Sequence, residues 1–147
     1  MHKRSSVLAA ACLFFLCGLA LSARQATTTA PAPRPGGWTL PATADEEKNP
    51  FAGDAKAVDA GKVLFEKKCQ RCHGPGGKGD GPDADPDAMQ DMDLTNPKRA
   101  GRNPDGIVFY KAWNGRAKPK MPAVKEELTR DQLWQIVSYV QTLRQKA

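Results

Sequence analysis

The sequence predicts a helical domain over residues 51–147, and three observations predict it. Two segments, near 54–69 and 129–146, carry apolar residues at helical spacing behind recognisable N-caps. A third apolar run, Ile107 to Trp113, lies between Asn103-Pro104-Asp105-Gly106 and the stop signal Asn114-Gly115. No strand pattern flanks the Cys69-Gln70-Arg71-Cys72-His73 stretch between the first two.

Two segments precede that domain. Residues 1–23 have the layout of a secretory signal peptide. His2, Lys3 and Arg4 are followed by the apolar run Val7–Leu21, with small residues at Ala20, Ser22 and Ala23 for cleavage. The run is shorter than the roughly 17–25 residues that span a bilayer. An uncleaved N-terminal anchor, or acylation at Cys12 or Cys17, is the alternative. Removing this segment takes away Lys3 and Arg4 and no acid, so the net charge falls from +6 to +4. That is not the dense basic stripe of a nucleic-acid binder. Residues 24–50 read as a flexible linker, with Pro31, Pro33, Pro35, Pro41 and Pro50 and little apolar surface to bury. Such a linker would also serve as a membrane tether. Trp38 is its one bulky residue and is expected to dock on the domain.

The first helix starts at the N-cap Asp54 and runs to about Cys69. Val58, Gly61, Phe65 and Cys69 share a face, with Leu64 alongside. Gly61 costs about 1 kcal/mol of helix stability relative to Ala. Its place on the apolar face predicts another helix crossing closely there.

Directly after this helix comes the chemistry. Two thiols three apart with a histidine behind the second form the attachment pattern of a c-type haem. The thiols add across two vinyl groups on one edge of the porphyrin, and the next residue brings an imidazole over the ring. Zinc needs four ligands, and outside residues 1–23 the chain offers only Cys69, Cys72 and His73 from cysteine and histidine. A thioredoxin-like pair needs a βαβ setting. A disulfide closing so small a loop adds little stability.

From Gly74 to Pro82, five glycines and two prolines exclude regular structure. The GxxxxGK[ST] order of a phosphate loop is absent. Glycines here suit close approach of backbone to a flat cofactor. A ligating histidine usually donates its other ring N–H to a carbonyl, and Pro82 is the residue expected to supply it. Asp83, Asp85, Asp87, Asp91 and Asp93 lack the order of a calcium loop and read as a solvated acidic stretch.

The last helix is the best marked. Thr129 and Gln132 form a capping box, and Leu128 with Leu133 a hydrophobic staple. Leu133, Ile136, Val137, Val140 and Leu143 make one apolar face. This helix is expected to cross the first near Gly61 and Phe65, with one of its aromatics filling the gap at the glycine.

A second axial ligand to iron must come from elsewhere. His73 is the one histidine outside residues 1–23, which excludes two-histidine ligation within the domain. Met89, Met92 and Met121 are the candidates. Met121, in an extended segment between Pro119 and Pro122, is the best placed.

These features together resemble a class I c-type cytochrome, a small bacterial monohaem domain. The resemblance covers residues 54–147 and rests on Cys69-x-x-Cys72-His73-Gly74, Gly79-Asp80-Gly81-Pro82, Asp93-Leu94-Thr95, Asn114-Gly115, Met121-Pro122 and Trp134 with Tyr139-Val140. It implies an all-α cytochrome c fold whose N- and C-terminal helices cross beside one haem c held covalently by Cys69 and Cys72. It also implies His73 and Met121 as the metal ligands and Pro82 as the carbonyl behind His73. The expected function is one-electron transfer between periplasmic or membrane redox partners, by an exported monomer with no catalytic residue of its own. Arg102, Lys111, Arg116, Lys118 and Lys120 form a candidate ring for transient docking of an acidic partner. Two alternatives stay open. One is a cytochrome subunit of a periplasmic dehydrogenase or oxidase. The other, if Met121 does not ligate iron, is a haem enzyme or gas sensor.

Overall fold

A computed structural model describes residues 32–34 and 37–145. The expected signal peptide, residues 1–23, lies outside the described residues. Two short strands, β1 (Ala32–Arg34) and β2 (Trp38–Leu40), pair antiparallel with Ala32 opposite Leu40 and Arg34 opposite Trp38. Then come α1 (Ala55–Lys68), the single turn α2 (Gln70–His73), a 3-10 turn over Pro86–Ala88, and the short turns α3 (Met89–Met92) and α4 (Pro97–Ala100). The longer helices α5 (Asp105–Asn114) and α6 (Arg130–Gln145) complete the chain. No helix among the described residues is long and apolar enough to cross a membrane.

The helix ends follow the local chemistry. The Asp54 carboxylate accepts the amides of Lys56 and Ala57 at 2.9 and 3.3 Å, closing the first turn of α1. At α6 the capping box is reciprocal. Gln132 N–H donates to Thr129 Oγ1 at 3.2 Å, and Thr129 N–H donates to Gln132 Oε1 at 2.9 Å. Both staple residues, Leu128 and Leu133, are buried. Helix α5 stops at Gly115, whose φ of 63° suits a residue without a side chain.

The first and last helices cross at Gly61, as its position on the apolar face predicts. What fills the space is main chain, not an aromatic ring. A methyl group on Gly61 would overlap the Gln135 carbonyl. The aromatic contact lies one turn on, where Tyr139 meets Phe65 edge-to-face at 5.3 Å. A ring wedged at Gly61 would hold the helices apart; its absence lets the backbones touch. Around this crossing Phe65, Leu133, Ile136, Val137, Val140 and Leu143 form the core. Phe109 of α5 joins it by stacking on Trp134 at 4.2 Å.

The segment read as a linker differs from that reading over residues 37–50. Leu40 and Ala44 are buried and pack with Ile107 of α5. Asn49 is buried too, and its amide donates to Ser138 Oγ at 2.9 Å and to the Trp134 carbonyl at 3.3 Å. Glu47 pairs with Arg130 at 2.7 Å. Gly106 leaves no room for a side chain against the Ala44 carbonyl. Proline content does not prevent this, because packing needs only a few well-spaced apolar residues, and Trp38, Leu40 and Ala44 supply them. Residues 37–50 are therefore a strap laid across α5 and the start of α6.

Candidate cofactor site

The two cysteines and the histidine sit on one helical turn. Helix α1 hands over to α2 at Cys69, whose N–H still donates to Phe65 at 2.8 Å. Cys72 and His73 then both donate to the Cys69 carbonyl, at 3.2 and 3.0 Å. Gly74, at φ 74°, ends the turn. Both thiols are free, with no disulfide between them. Burial pushes the Cys69 thiol up to about 12, with Cys72 adding and Lys68 opposing. No cluster of three or more His, Cys, Asp or Glu that could hold a metal ion is present among the described residues.

The His73 ring is oriented by the backbone. Its Nδ1 lies 2.7 Å from the Met92 carbonyl oxygen. Burial pushes the imidazole pKa down, with the Met92 bond opposing, so the ring is neutral near pH 7 with Nε2 left for a ligand. The expected acceptor, Pro82, does not take this role. Pro82 is exposed and lines neither cavity beside His73. Asp83 N–H donates to the Arg71 carbonyl at 2.8 Å, which folds the Pro82 turn against the outside of α2. Instead Lys78 and Asp93 bridge antiparallel, and Leu94 N–H donates to the Gly77 carbonyl at 2.7 Å. That pairing carries the Met92 carbonyl to the ring.

Two adjoining cavities share Cys69, His73, Met121, Trp38, Asp91, Ala112, Leu133 and Ile136. Cys72 lines the second. The first has apolar walls from Phe65, Leu94, Val108, Val137 and Val140. Met121 is held in a tight hairpin in which Arg116 and Met121 exchange both backbone hydrogen bonds at 2.9 Å. Of the other methionines, Met89 is exposed and Met92 sits on the Nδ1 side of His73.

The sequence did not reveal that a group of cations lines the cavity. Arg99, Lys111 and Arg144 line the first cavity with Asn103. Lys111 donates to Asn103 Oδ1, and Arg144 donates to the Asn103 carbonyl at 2.9 Å. Burial, then the charges of Arg99 and Arg116, push the Lys111 amine down to about 8. Asp91 is exposed, yet it meets Arg99 at 2.6 Å and Arg116 at 3.4 Å. A signal for Lys111 existed: it falls one turn from Val108 on the apolar side of α5. Arg116 has a side chain only 9% exposed. Neither residue stands free for a docking ring, whereas Lys118, Lys120 and Arg102 remain exposed.

The residues present fit a haem. Apolar walls suit the macrocycle, two adjacent thiols suit its vinyl edge, a neutral imidazole suits its iron, and half-buried cations suit its two carboxylates. The site is thus that of a covalent haem protein. The cytochrome c family model matches residues 58–144, and the chain belongs to that family. Its fold is the helical cytochrome c fold and its cofactor is haem c, attached covalently at Cys69 and Cys72. Among solved structures it is similar to cytochrome cL of Methylophaga aminisulfidivorans. The identity is 23%, the TM-score 0.52, and 65% of this chain and 60% of that one are covered. It is also similar to a chain of a reducing HAO-like protein complex of Kuenenia stuttgartiensis. There the identity is 29%, the TM-score 0.53, and 64% of this chain and 46% of that one are covered. The match thus spans less than two thirds of either structure's chain. Among curated proteins nothing matches.

Proposed function

We propose that this cytochrome is an exported one-electron carrier whose iron is held by His73 and Met121. The reading rests on one observation above all: His73 and Met121 line the same two cavities together with Cys69. The bound haem supplies a metal centre that changes oxidation state by one electron, with no substrate bond broken. His73 offers Nε2 while Met92 holds Nδ1. The thioether of Met121 is a soft ligand that favours the reduced metal and raises the potential. With His73 and Met121 both holding the iron, no position would be left for a substrate, which argues for a carrier and against an enzyme. The apolar walls from Phe65, Leu94, Leu133 and Val137 keep water from the ring.

Partners are redox proteins met in brief encounters, and Lys118 and Lys120 beside Met121 suit a partner with acidic groups at its docking face. The Val7–Leu21 run supports export to the periplasm. A second reading, a subunit of a larger redox assembly, is favoured by the likeness to a chain of the HAO-like complex. Co-purification of a larger enzyme would select it.

The test is an absorption spectrum of the exported protein. Haem that resists extraction with acidified acetone, sharp low-spin bands on reduction and a sulfur-to-iron band on oxidation are expected. A high-spin spectrum with rapid carbon monoxide binding would discard Met121 and favour a haem enzyme or gas sensor.

A further inference from the structure

The strap reaches the cofactor site from outside the family-matched residues. Trp38 lines both cavities. The Arg116 guanidinium lies over its ring at 4.3 Å, and Lys111 Nζ lies 5.1 Å from the ring centre. Arg116 is the residue whose backbone closes the hairpin on Met121 through two 2.9 Å hydrogen bonds. The strap runs beside the same hairpin: a side chain on Gly37 would touch the Lys118 carbonyl. Asn114 Nδ2 donates to the Thr39 carbonyl at 2.7 Å, fixing the strap at the foot of the hairpin. Leu40 and Ala44, buried against Ile107, anchor it further on.

We propose that Trp38 is a positioning residue for the sixth iron ligand: its stack on Arg116 latches the 116–121 hairpin and so holds Met121 against the haem. This rests on the reading of Met121 as that ligand. The physical basis is that a largely desolvated guanidinium over an indole face is a strong side-chain contact. Arg116 is also tied to Asp91 at 3.4 Å, so the ring, the acid and the hairpin share one cation. Loosening the ring leaves the hairpin tethered by Asp91 and its own backbone, and Met121 then leaves the iron more often.

The test uses the full-length exported protein and its Trp38→Ala, Trp38→Phe and Arg116→Met variants. Haem retention in acidified acetone first shows that each variant carries its cofactor. Imidazole is then titrated into the oxidised protein while the sulfur-to-iron band is followed. Trp38→Ala is expected to bind imidazole about tenfold more tightly. Trp38→Phe, which keeps an aromatic face, should recover most of the wild-type resistance. Should Trp38→Ala fail to accumulate, Arg116→Met removes the stacked cation with the strap intact and should show the same tightening. Wild-type imidazole affinity in the haem-loaded Trp38→Ala or Arg116→Met protein would overturn the latch while leaving Met121 as ligand. Absence of the band in the wild type would overturn both readings.

Discussion

Replacing Gly61 with alanine sets two effects of opposite sign against each other. In an isolated helix the change stabilises by about 1 kcal/mol, since glycine leaves more backbone freedom in the unfolded chain. Here the new methyl group would overlap the carbonyl carbon and oxygen of Gln135 and press on the Ile136 amide. All three are main-chain atoms of a sixteen-residue helix, and none can rotate away. The crossing must open, loosening Phe65 against Tyr139. Overpacking a core costs typically 1–3 kcal/mol, and a clash with rigid backbone belongs at the upper end. The balance is a net loss of about 2 kcal/mol, or a fall in Tm of roughly 10 °C for a domain of about 100 residues. The assay is thermal unfolding of the haem-loaded protein, followed by circular dichroism, with Lys62→Ala as a control on an exposed face of the same helix. A Gly61→Ala protein as stable as wild type would refute the account of the crossing.

Four further outcomes are expected. Met121→Ala should keep its covalent haem but lose the sulfur-to-iron band, lower its reduction potential and bind carbon monoxide when reduced; an unchanged oxidised spectrum would remove Met121 as ligand. Asn49→Ala strips hydrogen bonds from Ser138 and the Trp134 carbonyl in a buried setting, and should cost about 1–3 kcal/mol in denaturant unfolding. Thr129→Ala removes one half of the capping box and should cost about 1 kcal/mol by the same measurement. Asp91 is held below its ordinary 3.8, first by the hydrogen bond from Arg99, with Arg116 adding. A depressed carboxylate stabilises the fold above its unfolded pKa, and the benefit disappears as pH falls through the folded value. The stability gap between wild type and Asp91→Asn should therefore be constant near neutrality and close below about pH 4; a gap unchanged down to pH 2 would contradict it.

The sequence announces these features unequally, and the reason is the range of the interaction. Asp54, Thr129–Gln132 and Asn114–Gly115 act on neighbours within four residues, so their caps can be read directly. The cysteine pair and His73 are local for the same reason: one helical turn carries them. Gly61 reveals that something approaches, because a glycine on an apolar face needs a cause, but not that the visitor is the Gln135 backbone. The acceptor behind His73 carries no residue signature, since every residue owns a carbonyl. Which one arrives depends on the Lys78–Asp93 pairing, and that favours Met92 over Pro82. Residues 37–50 were hidden by composition, because five prolines between 31 and 50 outweigh Trp38, Leu40 and Ala44 in any average. Arg144 lies in the last turn of α6, where a cation suits a helix C-terminus, and nothing local shows that it reaches the Leu94 and Asn103 carbonyls at the cavity wall.

The strap also explains how so short a helix as α5 can carry the Met121 hairpin. Ten residues make a marginal helix on their own. Here α5 is gripped from two sides. Phe109 stacks on Trp134 of α6, while Ile107 packs under Leu40 and Ala44 of the strap. The hairpin hangs from the end of that helix. Gly115 lets the chain turn beside the Met121 carbonyl, and Val124 N–H returns to the Ala112 carbonyl at 3.1 Å. A ligand on a loop is only as firm as the elements beneath it. The residues matching the family begin at 58 and therefore leave one of the two grips, the strap, outside the matched domain. Cutting the chain back to residue 52 would expose Ile107, strip the Asn49 bonds from Ser138 and remove Trp38 from the cavity. The 52–147 fragment should then unfold at lower denaturant than the full chain and take up imidazole more readily. A fragment matching the full chain in both would show that α6 alone suffices to hold α5.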